Sequence, residues 1–189
     1  VLDPSFTTSL SGASRDFAES GSNIVFALVL ALVLIYLILA AQFESFIDPL
    51  VIMFTVPLAL GGAVLSLWIF NLTLNIFSEI GMIMLIGLVT KNGILIVEFA
   101  NKQREEGLSK LESVITAATQ RLRPILMTSV ATILGALPIA IGLGNGAQSR
   151  IPMGVVVVGG LLFSLVLTLY VIPAMYMFLA RRRVKAEEA

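Results

Sequence analysis

The sequence has no cysteine and no histidine among its 189 residues, and only one tryptophan. Without cysteine there is no disulfide scaffold and no thiolate metal site. Without histidine the usual proton shuttle and metal ligand is missing. Charge is scarce as well. Charged residues make up 13% of the chain, against roughly 25% in a soluble domain. The 12 basic residues cancel the 12 acidic ones, so no basic field exists for a nucleic acid. Apolar residues, in contrast, reach 58%. A water-soluble core of this size does not hide that much apolar surface. Soluble enzyme, disordered tail and nucleic-acid binder are thereby excluded. An integral membrane protein, or a piece of one, remains.

A bilayer core of about 30 Å takes about 20 apolar residues in a helix. Five stretches meet that length, predicted at about 24–43, 49–70, 78–101, 124–143 and 153–180. Several carry internal breakers: Pro57 and Gly61–Gly62, Pro138, and Gly159–Gly160 with Pro173. Membrane spans accept these, because neighbouring helices and hydroxyl side chains satisfy the freed backbone groups. Residues 1–23 are mixed and polar, too short for a domain, and read as the tail of an upstream region. The chain is therefore expected to be part of a longer protein.

Lysine and arginine predict the orientation. The connection 101–123 holds Lys102, Arg104, Lys110, Arg121 and Arg123, and the tail 181–189 holds Arg181, Arg182, Arg183 and Lys185. Five spans put both on one side, and the positive-inside rule makes that side cytoplasmic. Within the connection, Ser109 and Glu112 are spaced as a capping box. Leu108, Leu111, Val114, Ile115, Ala118 and Leu122 follow at helical spacing. They predict a short cytoplasmic helix over about 109–122, lying along the membrane surface.

Lys91 stands out. It is the single charge near the middle of the third span. A lysine at mid-bilayer costs at least about 2.5–3.5 kcal/mol, so such a residue faces a bundle interior and a partner there. Snorkelling suits lysines near helix ends, and Lys91 is far from both. Glu98, seven residues on, shares its face but lies about 10 Å along the axis. Glu44, Asp48 and Glu79 fall at the ends of spans. The counter-charge is thus expected on helices outside this chain. In the fourth span Arg121 and Thr128 are seven residues apart and share a helix face. An arginine at a span end also serves as a plain interfacial anchor, and a helical hydroxyl often bonds only its own backbone.

Long segments resemble the resistance-nodulation-division (RND) efflux transporters, close to their hydrophobe/amphiphile multidrug branch. They are GLVTKNGILIVEFAN (87–101), RLRPILMTSVATILGALPIAI (121–141), AAQFESFIDPLVIMFTVPLALGG (40–62) and YVIPAMYMF (170–178). The resemblance covers essentially the whole chain. It implies an all-α membrane fold whose five transmembrane helices look like the eighth to twelfth of a twelve-helix transporter, with residues 1–23 leaving a periplasmic porter region. It also implies proton antiport. Carried over by motif, Lys91, Arg121 and Thr128 would complete a relay whose carboxylates lie on a helix of the other half.

The implied coupling ion is the proton, with no cofactor, no metal and no enzymatic activity. The metal-exporting branch usually has an acid where this sequence has Lys91, which argues against metal export. The implied partners are the missing N-terminal half, a homotrimer, a periplasmic adaptor, an outer-membrane channel and the lipid bilayer, in a bacterial inner membrane. Lipid export or a protein-translocation accessory are alternatives within the family. A five-span scaffold, with Lys91 at a subunit contact, is the alternative outside it.

Overall fold

The computed structural model describes residues 13–144 and 146–179, with backbone alone over 13–24. The basic tail and most of the lead-in predicted above lie outside the described residues. Six α-helices follow one another: α1 (Ala13–Phe43), α2 (Ile47–Met53), α3 (Thr55–Ile69), α4 (Ile76–Glu105), α5 (Lys110–Ala140) and α6 (Ile151–Leu179). A single 3-10 turn, Ala147–Ser149, precedes α6. Among the described residues there is no strand. Helices α2 and α3 together make one crossing, so five segments are long and apolar enough to span a membrane.

The break between α2 and α3 has a local cause. Pro57 has no N–H to give to the carbonyl of Met53, and its ring crowds that turn. The Thr55 hydroxyl donates to the neighbouring Ile52 carbonyl at 2.7 Å. The backbone at Phe54 stays in the right-handed helical region, and the segment continues as α3.

The predicted short cytoplasmic helix is not a separate element. Residues 109–122 and the span placed at 124–143 form one continuous helix, α5. Its start is as expected: the Ser109 hydroxyl accepts from the Glu112 N–H, and the Glu112 carboxylate accepts from the Ser109 N–H. Pro124 does not end it, because a missing N–H removes one bond, to the Gln120 carbonyl, and no glycine lies between 110 and 134 to add to it. At about 1.5 Å per residue the 31 residues of α5 outrun the hydrocarbon core, so one end stands clear of it. The apolar stripe predicted along 108–122 also divides: Val114 is buried, but Leu111, Ile115 and Leu122 are exposed.

Helix α6 is the hub, packed on α3, α4 and α5. Small residues let it approach. A methyl on Gly160 would strike the Leu85 side chain, and one on Gly62 would meet Phe163 Cβ at 2.5 Å. Two apolar clusters result. One holds Ala59, Ala63, Leu85, Val89, Val156 and Leu161. The other lies toward the basic connection and holds Val51, Ile52, Ile96, Val97, Ile172 and Tyr176. Helix α1 packs against α2 and α4 and leaves most of its apolar surface open.

Candidate functional site

Helix α4 carries Lys91 to mid-span because it runs unbroken for 30 residues. A second capping box starts it. Ser78 N–H donates to Asn75 Oδ1 at 2.8 Å, and Asn75 N–H donates to Ser78 Oγ at 2.9 Å. No proline interrupts the helix. Along one edge Phe77, Ile80, Met84, Gly87, Lys91 and Glu98 are all exposed. Spacings of three, four and seven residues make them one face. Lys91 thus sits on an open helix face, and among the described residues no carboxylate or hydrogen bond engages it.

Lys91 and Thr128 come together. Both line a small cavity of about 30 Å³ between α4 and α5, shared with Asn92, Ser129 and Thr132. A water needs roughly 10–15 Å³ measured this way, so the space suits one or two waters among polar groups. Asn92 Nδ2 donates to Ser129 Oγ at 3.2 Å, in a buried bond that ties the two helices beneath Lys91. The Thr128 hydroxyl donates to the Pro124 and Ile125 carbonyls at 3.1 and 3.2 Å. Thr132 donates to the Thr128 carbonyl at 2.8 Å. Each hydroxyl oxygen keeps a lone pair for a water or a proton carrier.

Arg121 is not part of that cavity. Seven residues before Thr128, it lies about 10 Å along the helix. Its guanidinium carbon stands 4.6 Å from the centre of the Phe99 ring, in cation–π geometry. Its Nε is buried and has no hydrogen-bond partner among the described residues.

Asn92 and Phe99 were not singled out in the sequence. For Asn92 the signal was available, since a polar amide beside a mid-span lysine needs a partner. Gly93 allows a close approach: a methyl there would meet Ile52 Cγ2 at 2.9 Å. Gly87 has nothing within 4 Å.

Among the described residues no acid reaches Lys91. Asp48, expected in a turn, lies in the first turn of α2, is buried, and accepts from Asn101 Nδ2 at 2.9 Å. Glu98 is exposed further along α4. Among the described residues no group of three or more acidic side chains is arranged to hold a metal ion.

Comparison with known proteins agrees with this architecture. The chain is 40% identical over 176 residues to the multidrug resistance protein MdtC of Erwinia tasmaniensis, covering 93% of this chain and 17% of that protein. It is 41% identical over 186 residues to an uncharacterized transporter of Haemophilus influenzae, covering 95% and 18%. With MdtC of Edwardsiella ictaluri the identity is 40% over 183 residues, covering 96% and 18%. The chain therefore spans less than a fifth of the length of these relatives. Residues 1–180 match the family described as AcrB/AcrD/AcrF. With five apolar helices and a match over nearly its whole length, the chain belongs to the AcrB/AcrD/AcrF family of RND transporters.

Proposed function

We propose that this chain is the C-terminal membrane portion of a proton-driven pump that exports drugs or other hydrophobic and amphiphilic compounds. Lys91, Arg121 and Thr128 contribute to its proton relay. The observation that carries this reading is Lys91 itself: a mid-span cation on an open helix face, beside a polar cavity with room for water, with no carboxylate against it among the described residues. A mid-bilayer cation without a partner is costly. Carboxylates on a helix of the other half would cover the face that Phe77, Ile80, Met84 and Gly87 leave open.

The physics of the relay is a charge switch. Ionised carboxylates attract Lys91, and the lysine holds their pKa down. Protonation removes the attraction and lets the carboxylate-bearing helix shift relative to α4. Protons entering from one side then bias a conformational equilibrium. Thr128 and the cavity waters hand the proton along. Arg121, nearer the basic connection, sets a positive potential at one end of the path. The basic connection faces the cytoplasm of a bacterial cell. The other half of the transporter, two further copies, a periplasmic adaptor and an outer-membrane channel complete the assembly.

The test uses a full-length transporter carrying this sequence, reconstituted in liposomes with an imposed proton gradient. Gradient-dependent drug movement that is lost in Lys91→Ala, with normal insertion, is the expected result. Drug movement at the parent rate in Lys91→Ala refutes the relay.

A further inference from the structure

A second polar assembly lies in the core near the basic connection, and the relay leaves it unused. Asp48 in α2 is 6% exposed, Asn101 in α4 is 8% exposed and Tyr176 in α6 is fully buried. Asp48 Oδ2 accepts from Asn101 Nδ2 at 2.9 Å. Asn101 Oδ1 accepts from the Tyr176 hydroxyl at 2.6 Å. The Tyr176 oxygen accepts from Arg104 Nη1 at 3.4 Å.

The donors all point one way. A carboxylate only accepts, so Asn101 must turn its NH2 toward Asp48, and its carbonyl is left for the phenol. The phenol spends its one proton there and offers a lone pair to the guanidinium. The chain thus starts at a cation on α4, crosses α6, returns to α4 and ends at an anion on α2. Hydrogen bonds in such a series polarise one another. Apolar side chains pack against it on one side, Val51, Ile52, Val97 and Ile172 among them; on the other, Asn101 borders a polar pocket with Glu98, Lys102 and Glu105. Rotating α4 by even one residue, about 100°, would carry Asn101 away from both Asp48 and Tyr176.

The same three elements meet again nearer Lys91. A methyl on Gly93 would strike Ile52 of α2 at 2.9 Å and Ile172 of α6 at 3.2 Å. Helix α4 is therefore held against α2 and α6 from Asn101 up to Gly93, two residues from Lys91. We infer that Asp48, Asn101, Tyr176 and Arg104 form a hydrogen-bonded clamp that fixes the rotation of α4, and so the direction in which Lys91 faces the Thr128 cavity. They are positioning residues for the relay, and this role rests on the reading of Lys91 given above.

The experiment uses the full-length transporter with cysteines at Leu88→Cys and Thr132→Cys. Both positions line the Lys91 cavity, one on each helix. The rate of oxidative cross-linking between them reports the α4–α5 register without reference to transport. Tyr176→Phe keeps the ring and removes the hydroxyl, and Asp48→Asn removes the terminal charge. Each should change the cross-linking rate by about threefold or more. In the cysteine-free background, each should also shift the acidic limb of the pH profile of export, with the substrate KM unchanged. Tyr170→Phe, on the same helix but 74% exposed, should do neither. Cross-linking at the parent rate in both clamp variants, with normal membrane levels, overturns the clamp. An altered rate with an unmoved pH profile overturns its positioning role. Failure of the relay reading is separate: it appears as normal export in Lys91→Ala, whatever the cross-linking shows.

Discussion

Gly154 gives the sharpest test of the packing. It lies in the first turn of α6, where that helix crosses the end of α5. An added methyl would stand 2.6 Å from Ala140 Cα and 2.8 Å from the Ile139 carbonyl carbon. Carbon atoms settle at roughly 3.5–4.0 Å, so the two helices would have to part by about 1 Å. The obstacle is backbone, and no rotamer change relieves it. Overpacking of this kind costs about 1–3 kcal/mol. Alanine for glycine in a helix returns at most about 1 kcal/mol. The net is a loss of up to about 2 kcal/mol, or a factor of up to about 30 in a local opening equilibrium. Gly61 supplies the control, since a methyl there meets nothing within 4 Å. Hydrogen exchange of the amides around Ala140 and Gly154, read by mass spectrometry on the full-length protein, measures the effect. Gly154→Ala should speed their exchange by that factor, while Gly61→Ala leaves it unchanged or slower. Equal exchange in the two variants would refute the close crossing.

Two further predictions concern the site. Asn92→Ala removes the bond to Ser129 and should weaken the α4–α5 contact by about 0.6 kcal/mol, the average for hydrogen bonds between membrane helices; a double-mutant cycle with Ser129→Ala, read by unfolding in detergent, gives the coupling directly. Arg121→Lys keeps the charge but not the planar stack on Phe99. It should lower proton-coupled transport nearly as far as Arg121→Ala, and full retention of transport in Arg121→Lys would show that charge alone suffices.

Much of the fold was legible because membrane spans declare themselves by length and by lack of charge. Lys91 was legible for the same reason: one cation in an apolar run has no cheap explanation. The break between α2 and α3 follows from the missing donor of Pro57, a local cause. The continuity of α5 was not legible, because Pro124 reads as a boundary although it removes only one hydrogen bond. The split of the 108–122 stripe depends on what α5 packs against, and periodicity alone does not say. The Asp48, Asn101 and Tyr176 assembly was invisible for a different reason. Its members are 53 and 75 residues apart in sequence, and each alone resembles an ordinary polar residue near the end of a span. The placement of Arg121 on Phe99 likewise needs the relative rotation of two helices.

The central claim is that Lys91 serves as counter-charge to carboxylates on another helix. Infrared difference spectroscopy of the full-length transporter follows the protonated-carboxyl band of buried acids as pH is varied. An opposite charge within about 4–6 Å lowers a carboxyl pKa by about 1–3 units. In Lys91→Ala that band should therefore titrate about 1–3 units higher than in the parent protein. An unmoved titration would contradict the claim, because it would mean that no carboxylate senses Lys91.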